Sequence, residues 1–323
     1  MAQRSSIEWT DATWNPTRGC TKIAPGCKNC YAETFAERFR GVKGHAYERG
    51  FDPRMVPEKL SEPLRTKKPT MFFVNSMSDL FHEGFPFEYI DAVFASMILS
   101  QALGRGHTFQ ILTKRTARMG EYMRSRGSGF TRGDEPIVNA AYRHFGDDMS
   151  CHVANSIERV LGDGRNAGWP PRNVWLGCSI ANQDDAGKNV PILLQVPAVV
   201  RFLSVEPLIG PVYLGWLVRD LVNWVIVGGE SGPGARPCNV EWVRSIVQQC
   251  KAAGVPVFVK QLGAKPFLTL MDFNDQQRIA REWSCKWRTN RGVAEPLLKD
   301  SKGGDPSEWP ADLRVREFPD VAA

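Results

Sequence analysis

The sequence predicts an α/β protein in which parallel strands, covered by helices, close toward a barrel. Two observations point there. Short apolar runs rich in β-branched residues recur along most of the chain with helical patterns between them, as buried parallel strands require. Each run also ends in polar residues, and in parallel barrels the C-terminal strand ends are the rim where chemistry sits. The chain has 323 residues, enough for one large domain or two small ones. About six to seven strands can be counted; they fit a barrel or partial barrel better than a three-layer open sheet, a choice periodicity leaves open.

Taken in order, a short strand around Thr13 to Asn15 leads into a cysteine-rich loop, and Tyr31 to Phe39 reads as a helix with Tyr31, Phe35 and Phe39 on one face. A polar connection runs from Arg40 to Lys68. Strands are then expected at Met71–Asn75, Thr108–Thr113, Val174–Ser179, Val199–Val205, Val222–Val227 and Val255–Lys260. Helices are expected at Tyr89–Leu103, from about Arg115, at Asp184–Gln195 and at Val240–Ala253. The stretch from 127 to 171, rich in Gly, Arg and Asp and holding His144 and His152, is too long for a connection and reads as an insertion, a flap with helical pieces. After Pro266 the alternation stops, and a tail with Trp283, Trp287 and Trp309 runs to the end. The expected division is therefore a barrel over 1–265 and a C-terminal extension over 266–323.

The loop after the first strand holds Cys20, Cys27 and Cys30, three of the chain's eight cysteines, spaced C-x6-C-x2-C. It stands at the entrance to a helix whose dipole favours thiolate. Three clustered thiolates suit a metal centre. An iron–sulfur cube with three protein ligands keeps one iron open; zinc needs a fourth ligand, for which His45 is nearest; a disulfide is the plain alternative, though three is an odd number. The other cysteines, Cys151, Cys178, Cys238, Cys250 and Cys285, read as small buried hydrophobes.

The rim collects further polar groups: Asn75-Ser76-Met77-Ser78-Asp79, Lys114 and Arg115, Asn182, Glu206, the loop Gly228-Gly229-Glu230-Ser231-Gly232, Arg236 and Lys260. The plain alternatives are that Asp79 caps the next segment, that Glu206 before Pro207 is a turn residue, that Lys114 and Arg115 are a solvated pair or hold an anion, and that the glycines make only a tight turn. Functionally, glycines let backbone approach a flat ligand or a phosphate.

Hydrophobic residues are 42% and charged residues 24%, as in soluble globular proteins. No apolar run reaches membrane-span length, and the first residues lack the apolar core of a signal peptide. The expected location is a reducing cytoplasm, where clustered thiols bind metal more often than they crosslink. A net charge of +6 permits an anionic partner. Arg115, Arg118, Arg124, Arg126 and Arg132 are expected to suit a phosphate backbone.

On these residues the chain resembles the radical S-adenosylmethionine superfamily, which has a partial barrel and a three-cysteine loop after strand one. The usual first gap there is three; here it is six, and Asn29 stands before Cys30 where an aromatic residue is common. The longer gap, preceded by Trp14-Asn-Pro-Thr-Arg-Gly-Cys20, resembles a divergent, largely phage-encoded three-cysteine family. That likeness extends to Asn75–Asp79, Ser204-Val-Glu-Pro207, Gly228–Gly232 and Lys302-Gly-Gly-Asp-Pro-Ser-Glu-Trp-Pro310. The resemblance implies a [4Fe–4S] cluster on Cys20, Cys27 and Cys30, with S-adenosylmethionine on the open iron cleaved to a 5′-deoxyadenosyl radical. By strand-end order, Ser76 and Asp79 would face the methionine part, and Glu206, Gly228, Gly229 and Glu230 the ribose and adenine. Phage carriage points to a modified base in DNA as substrate, an isomerase- or lyase-type reaction on a hypermodified thymine, an external electron donor and the cytoplasm of an infected host. The competing expectations are a zinc-bearing, non-catalytic nucleic-acid-binding protein, and a radical enzyme for lesion repair, a small molecule or a peptide.

Overall fold

The computed structural model describes residues 3–127, 136–145, 157, 160, 169–215, 221–271, 273–283 and 285–320. Among these residues seven parallel strands, interleaved with helices, give the partial α/β barrel class that the sequence predicts. The chain divides into two compact units.

The first unit comprises Met1–Ile23, Cys30–Cys178 and Gln195–Val200. In it β1 (Gln3–Arg4) pairs antiparallel with β2 (Ala12–Trp14). Next, β3 (Thr17–Arg18) precedes α1 (Tyr31–Glu37) and pairs antiparallel with β4 (Arg54–Met55). There follow α2 (Glu62–Arg65), β5 (Met71–Val74), α3 (Phe87–Ala102), β6 (Thr108–Thr113), α4 (Thr116–Gly127), α5 (Pro136–Phe145) and β7 (Val174–Ile180). The parallel strands run in the order β2-β5-β6-β7.

Every residue of β7 is buried, which explains why it is apolar up to Ser179: a strand covered on both faces has no polar side to show. Trp14 is fully buried, and its indole N–H donates to Lys59 O at 2.8 Å, meeting a donor that burial would otherwise orphan. Helix α3 packs on α2 and α5 and is apolar nearly all round, as an enclosed helix must be. Its one fully buried acid, Asp91, accepts from Arg126 Nε at 2.8 Å and Tyr122 Oη at 3.0 Å; an unpaired charge there would be too costly. Of the expected insertion, α5 and Trp169 are described; Arg132, Cys151 and His152 lie outside the described residues.

The second unit comprises Ala24–Asn29, Ser179–Leu194 and Arg201–Ala323. It carries α6 (Gln183–Leu194), β8 (Val200–Val205), β9 (Trp224–Gly228), β10 (Cys238–Asn239), α7 (Val240–Ala253) and β11 (Val257–Gln261), with β8, β9 and β11 parallel in that order. Helix α7 has the expected bounds because both end signals are present. The Asn239 side chain accepts from Glu241 N at 3.0 Å, and Gly254 closes the last turn at φ 69°.

Past Pro266 the chain has more structure than its lost alternation predicts. It forms β12 (Pro266–Thr269), α8 (Phe273–Glu282), β13 (Lys286–Asn290) and β14 (Val293–Leu297), in a second sheet ordered β10-β12-β14-β13. The two-residue turn between β13 and β14 has φ 45° at Arg291 and φ 77° at Gly292. This is the pattern of a tight hairpin turn, but Arg-Gly lacks the Asn-Gly or Asp-Gly signature. The last segment then lines β11, with Val259 N donating to Val315 O and Glu317 N to Val257 O. Among the described residues no helix is long and apolar enough to cross a membrane.

Candidate metal and cofactor site

In the first unit the approach to Cys20 is set by Gly19. Its φ is 75°, and a Cβ there would lie 2.3 Å from Asp52 O, so no other residue fits. Gly19 N donates to Met77 O and Cys20 N to Phe51 O. The turn after β5 fixes the same segment: buried Asn75, at φ 62°, donates to Thr17 Oγ1, which shares a hydrogen bond with Ser78 Oγ at 2.8 Å. Asparagine is among the few residues that tolerate that backbone. Ser76 exchanges hydrogen bonds with the Asn15 amide at 3.2 and 3.3 Å, and its carbonyl accepts from the Tyr31 hydroxyl.

Asp79 is buried and fully engaged. Its Oδ1 accepts from Phe81 N at 3.0 Å and Thr113 Oγ1 at 2.7 Å; its Oδ2 accepts from Lys114 N at 3.1 Å and Arg115 Nη1 at 3.3 Å. Arg115 is 5% exposed. It donates through Nε to Glu83 Oε2 at 2.8 Å, through Nη1 also to Cys20 Sγ at 3.3 Å, and through Nη2 to Thr21 O and Oγ1 at 3.1 and 3.0 Å. Burial works against its charge, but Asp79, Glu83 and Cys20 outweigh that and raise its pKa. His82 accepts at Nδ1 from Gly84 N, which leaves its proton on Nε2, directed at Thr21 Oγ1, 3.0 Å away. Burial, then the charge of Arg115, lowers the His82 pKa.

Cys30 is the N-cap residue of α1 and makes no side-chain capping bond; with Cys20 it packs against Ala32, Ala36 and Phe51. Helix α1 ends at Glu37 rather than Phe39. The Glu37 carboxylate turns to Arg40 and to Phe51 N. His45, the nearest candidate for a fourth ligand in the zinc alternative, stacks on Phe39 at 3.9 Å and accepts at Nδ1 from Tyr47 N.

In the second unit Cys27 ends the 3-10 turn Pro25–Cys27. Arg236 Nη1 donates to Pro25 O at 2.9 Å, and the Asn29 amide donates to Glu230 Oε2 at 3.0 Å and Gly234 O at 2.7 Å. Glu230 also accepts from Arg236 N at 2.8 Å, from Nε at 2.9 Å and from Nη2 at 2.7 Å. Burial alone would raise the Glu230 pKa; the bonds from Arg236 and Asn29 outweigh it and hold the carboxyl below its ordinary range. The glycines of this loop have a packing cause. A Cβ on Gly229 would lie 2.3 Å from Leu262 O, and one on Gly228 would lie 3.3 Å from Gln261. Glu206 pairs with Lys260 at 2.6 Å, and its carbonyl accepts from Ser179 Oγ at 3.0 Å.

A family described as "Protein of unknown function (DUF5131)" matches residues 4–289. The chain belongs to that family. Comparison with curated proteins returned no match. Among solved structures, spore photoproduct lyase complexed with dinucleoside spore photoproduct is 10% identical, over 93% of this chain and 72% of that one, with a TM-score of 0.36. A double mutant of that lyase with bound AdoMet and the same dinucleoside is 9% identical, with the same coverage and score. At this identity and score neither carries a function across.

The DUF5131 match contains all three loop cysteines and all six expected cofactor residues. Cys20, Cys27 and Cys30 are partly exposed, whereas Cys178, Cys238 and Cys250 are buried; Cys285, expected to be buried, is only half-buried. Burial pushes the Cys238 and Cys250 thiols up to about 12, leaving them inert. Among the described residues no group of three or more His, Cys, Asp or Glu side chains is arranged to hold a metal ion. The donor chemistry fits a thiolate-bound iron–sulfur centre: three partly exposed cysteines lie within eleven residues, and one of them, Cys20, faces a buried guanidinium.

The arginines expected at a phosphate backbone are largely engaged within this DUF5131 chain. Arg115 holds the cysteine loop, Arg118 donates to Phe85 O over the Phe87 ring, and Arg126 pairs with buried Asp91. Arg124 is exposed. Sequence reasoning missed the roles of Thr21, Asn29 and His82, and read Arg236 only as part of the rim. None of these has a local pattern that marks it.

Proposed function

We propose that the chain is a radical S-adenosylmethionine enzyme, with a [4Fe–4S] cluster on Cys20, Cys27 and Cys30, that acts on a modified base in DNA. The observation that carries this is the placing of the cysteines: three partly exposed ones stand within eleven residues in the loop that follows the first parallel strand, while Cys178, Cys238 and Cys250 are buried and the half-buried Cys285 lies far along the chain. When bound, the cluster supplies the electron that splits S-adenosylmethionine into methionine and a 5′-deoxyadenosyl radical able to take a hydrogen atom from substrate.

The chain's own residues would bind and orient. Ser76, partly exposed, and Glu206, one of whose oxygens meets Lys260, keep capacity for polar groups of the cofactor. Asp79 and Glu230 have their oxygens engaged, and Gly228 and Gly229 lie against Gln261 and Leu262. In this reading those four support the site from behind. DNA as partner is favoured by charge: residues 17–55, around the cysteine loop, carry eight Lys and Arg against four Asp and Glu. A duplex base would be flipped out to react. Isomerisation or rearrangement of a hypermodified thymine side chain, an external electron donor and the cytoplasm of a phage-infected host complete the proposal.

The test is anaerobic reconstitution with iron, sulfide and zinc analysis. The expected outcome is about four irons per chain, lost on changing Cys20, Cys27 or Cys30 to Ala and kept in Cys250→Ala. Reduced protein should then release 5′-deoxyadenosine from S-adenosylmethionine. Zinc without iron or sulfide would overturn the proposal. Incubation with phage DNA, digestion to nucleosides and comparison of retention times tests the substrate, since an isomerisation leaves mass unchanged.

A further inference from the structure

Arg115 is almost sealed from solvent, and a buried guanidinium is tolerated only where its donors are met. It has five N–H groups, and all five have acceptors: Glu83 Oε2, Asp79 Oδ2, Cys20 Sγ, Thr21 O and Thr21 Oγ1. Two carboxylates already balance its charge. The remaining three donors go to Cys20 and to the residue after it, across more than ninety positions of sequence.

We infer that Arg115 is the positioning residue of Cys20, holding its sulfur by a charge-assisted N–H···S bond and setting the electron density on that ligand. The inference rests on the cluster reading above. The local build supports it from each side. Thr113 Oγ1 accepts from Arg115 N at 2.8 Å while donating to Asp79 Oδ1, so the end of β6 holds the arginine's backbone and its main counter-ion together. Glu83 takes Nε, which fixes the plane of the fork. The two Nη2 donors seize both oxygens of Thr21, and His82 approaches the same hydroxyl through its own ring nitrogen. The peptide that follows Cys20 therefore has little freedom, and the partly exposed sulfur is held between the guanidinium, from which it accepts, and Thr21 O, to which it donates at 3.4 Å. A cation donating to a ligand sulfur favours the more negative, reduced form of an iron–sulfur centre, so this contact raises its potential. Lysine would keep the charge but could not fork onto sulfur and Thr21 together.

The experiment uses the full chain, reconstituted anaerobically, as wild type, Arg115→Gln, Arg115→Lys and Glu83→Gln. Iron and sulfide are counted, the midpoint potential is measured by redox titration, and the reduced state is examined by electron paramagnetic resonance. Arg115→Gln should shift the midpoint to more negative potential and alter the resonance signature, Arg115→Lys should fall between it and wild type, and Glu83→Gln should match wild type. Loaded Arg115→Gln with wild-type potential and signature would overturn the inference; if that variant fails to fold, Arg115→Lys decides on the same readout. If wild type itself binds no iron or sulfide, the cluster reading fails separately. The contact is then tested in iron-free protein by the iodoacetamide alkylation rate of Cys20, with Cys27 as internal reference. A several-fold fall of the Cys20 rate in Arg115→Gln is expected, and an unchanged ratio would overturn the inference.

Discussion

Arg115 in the first unit and Arg236 in the second each hold one arm of the cysteine loop, Arg115 beside Asp79 and Arg236 beside Glu230. Arg115 reaches the sulfur of Cys20 and both oxygens of Thr21. Arg236 meets the loop at a main-chain oxygen, Pro25 O, and Glu230 takes the Asn29 amide. The side chains differ in exposure, 3% for Arg115 and 22% for Arg236. A sealed guanidinium cannot exchange a lost partner for water, so its geometry is over-determined and it can act on a thiol. A partly wet one can exchange, so it steers the chain without tuning the chemistry.

Removing the two carboxylates should have unequal effects. Asp79→Ala leaves Arg115 buried without its main counter-ion and removes four acceptor bonds; the expected loss is about 3–5 kcal/mol in urea unfolding. Glu230→Ala lets Arg236 rehydrate, and the expected loss is about 1–2 kcal/mol. Equal losses would mean that exposure does not separate the two couples.

Acid sharpens the contrast. His82 has a folded pKa below its ordinary 6.5, and it is faced by Arg115, Glu83, Asp79 and Arg118. It is neutral when folded, so its contribution is complete above pH 6.5 and is lost as pH falls from there through the folded value. Glu230 is held below its ordinary 4.5; its contribution is complete above pH 4.5 and is lost as pH falls through its lower folded value. The difference in urea midpoint between wild type and His82→Gln should therefore change just below pH 6.5, and that between wild type and Glu230→Gln only below pH 4.5. His107 and His144 also have lowered values but cancel in these differences. A Glu230→Gln difference already changing at pH 6 would show that the second couple is not held as described.

The smallest effect is expected at Glu83. It meets the same guanidinium as Asp79, yet its side chain is 62% exposed. Glu83→Gln should change stability by less than about 1 kcal/mol. A larger loss would show that the exposed carboxylate, not Asp79, is the counter-ion that matters.

Much of this was legible in the sequence. The runs that became β5 to β9 and β11 are short, apolar and β-branched because buried strands have no polar face. Asn239 and Gly254 mark the ends of α7 because capping needs those residue types. The three cysteines announce themselves by spacing. The strands after Pro266 were not legible, since β13 is exposed along its length apart from half-buried Trp287 and its turn uses Arg291 at positive φ. The glycine pair at 228 and 229 was legible as a close approach, but not as one to the chain's own Leu262.

The sequence by itself thus determined the order of strands and helices and the residue types at each strand end, because these follow from hydrophobic periodicity and local backbone preference. Only the tertiary structure decided which polar groups meet. Arg115 finds Cys20 and Asn29 finds Glu230 across 95 and 201 positions. A hydrogen bond depends on where two atoms lie in space to within a few tenths of an ångström, and residue order constrains that only through the packing of everything between them.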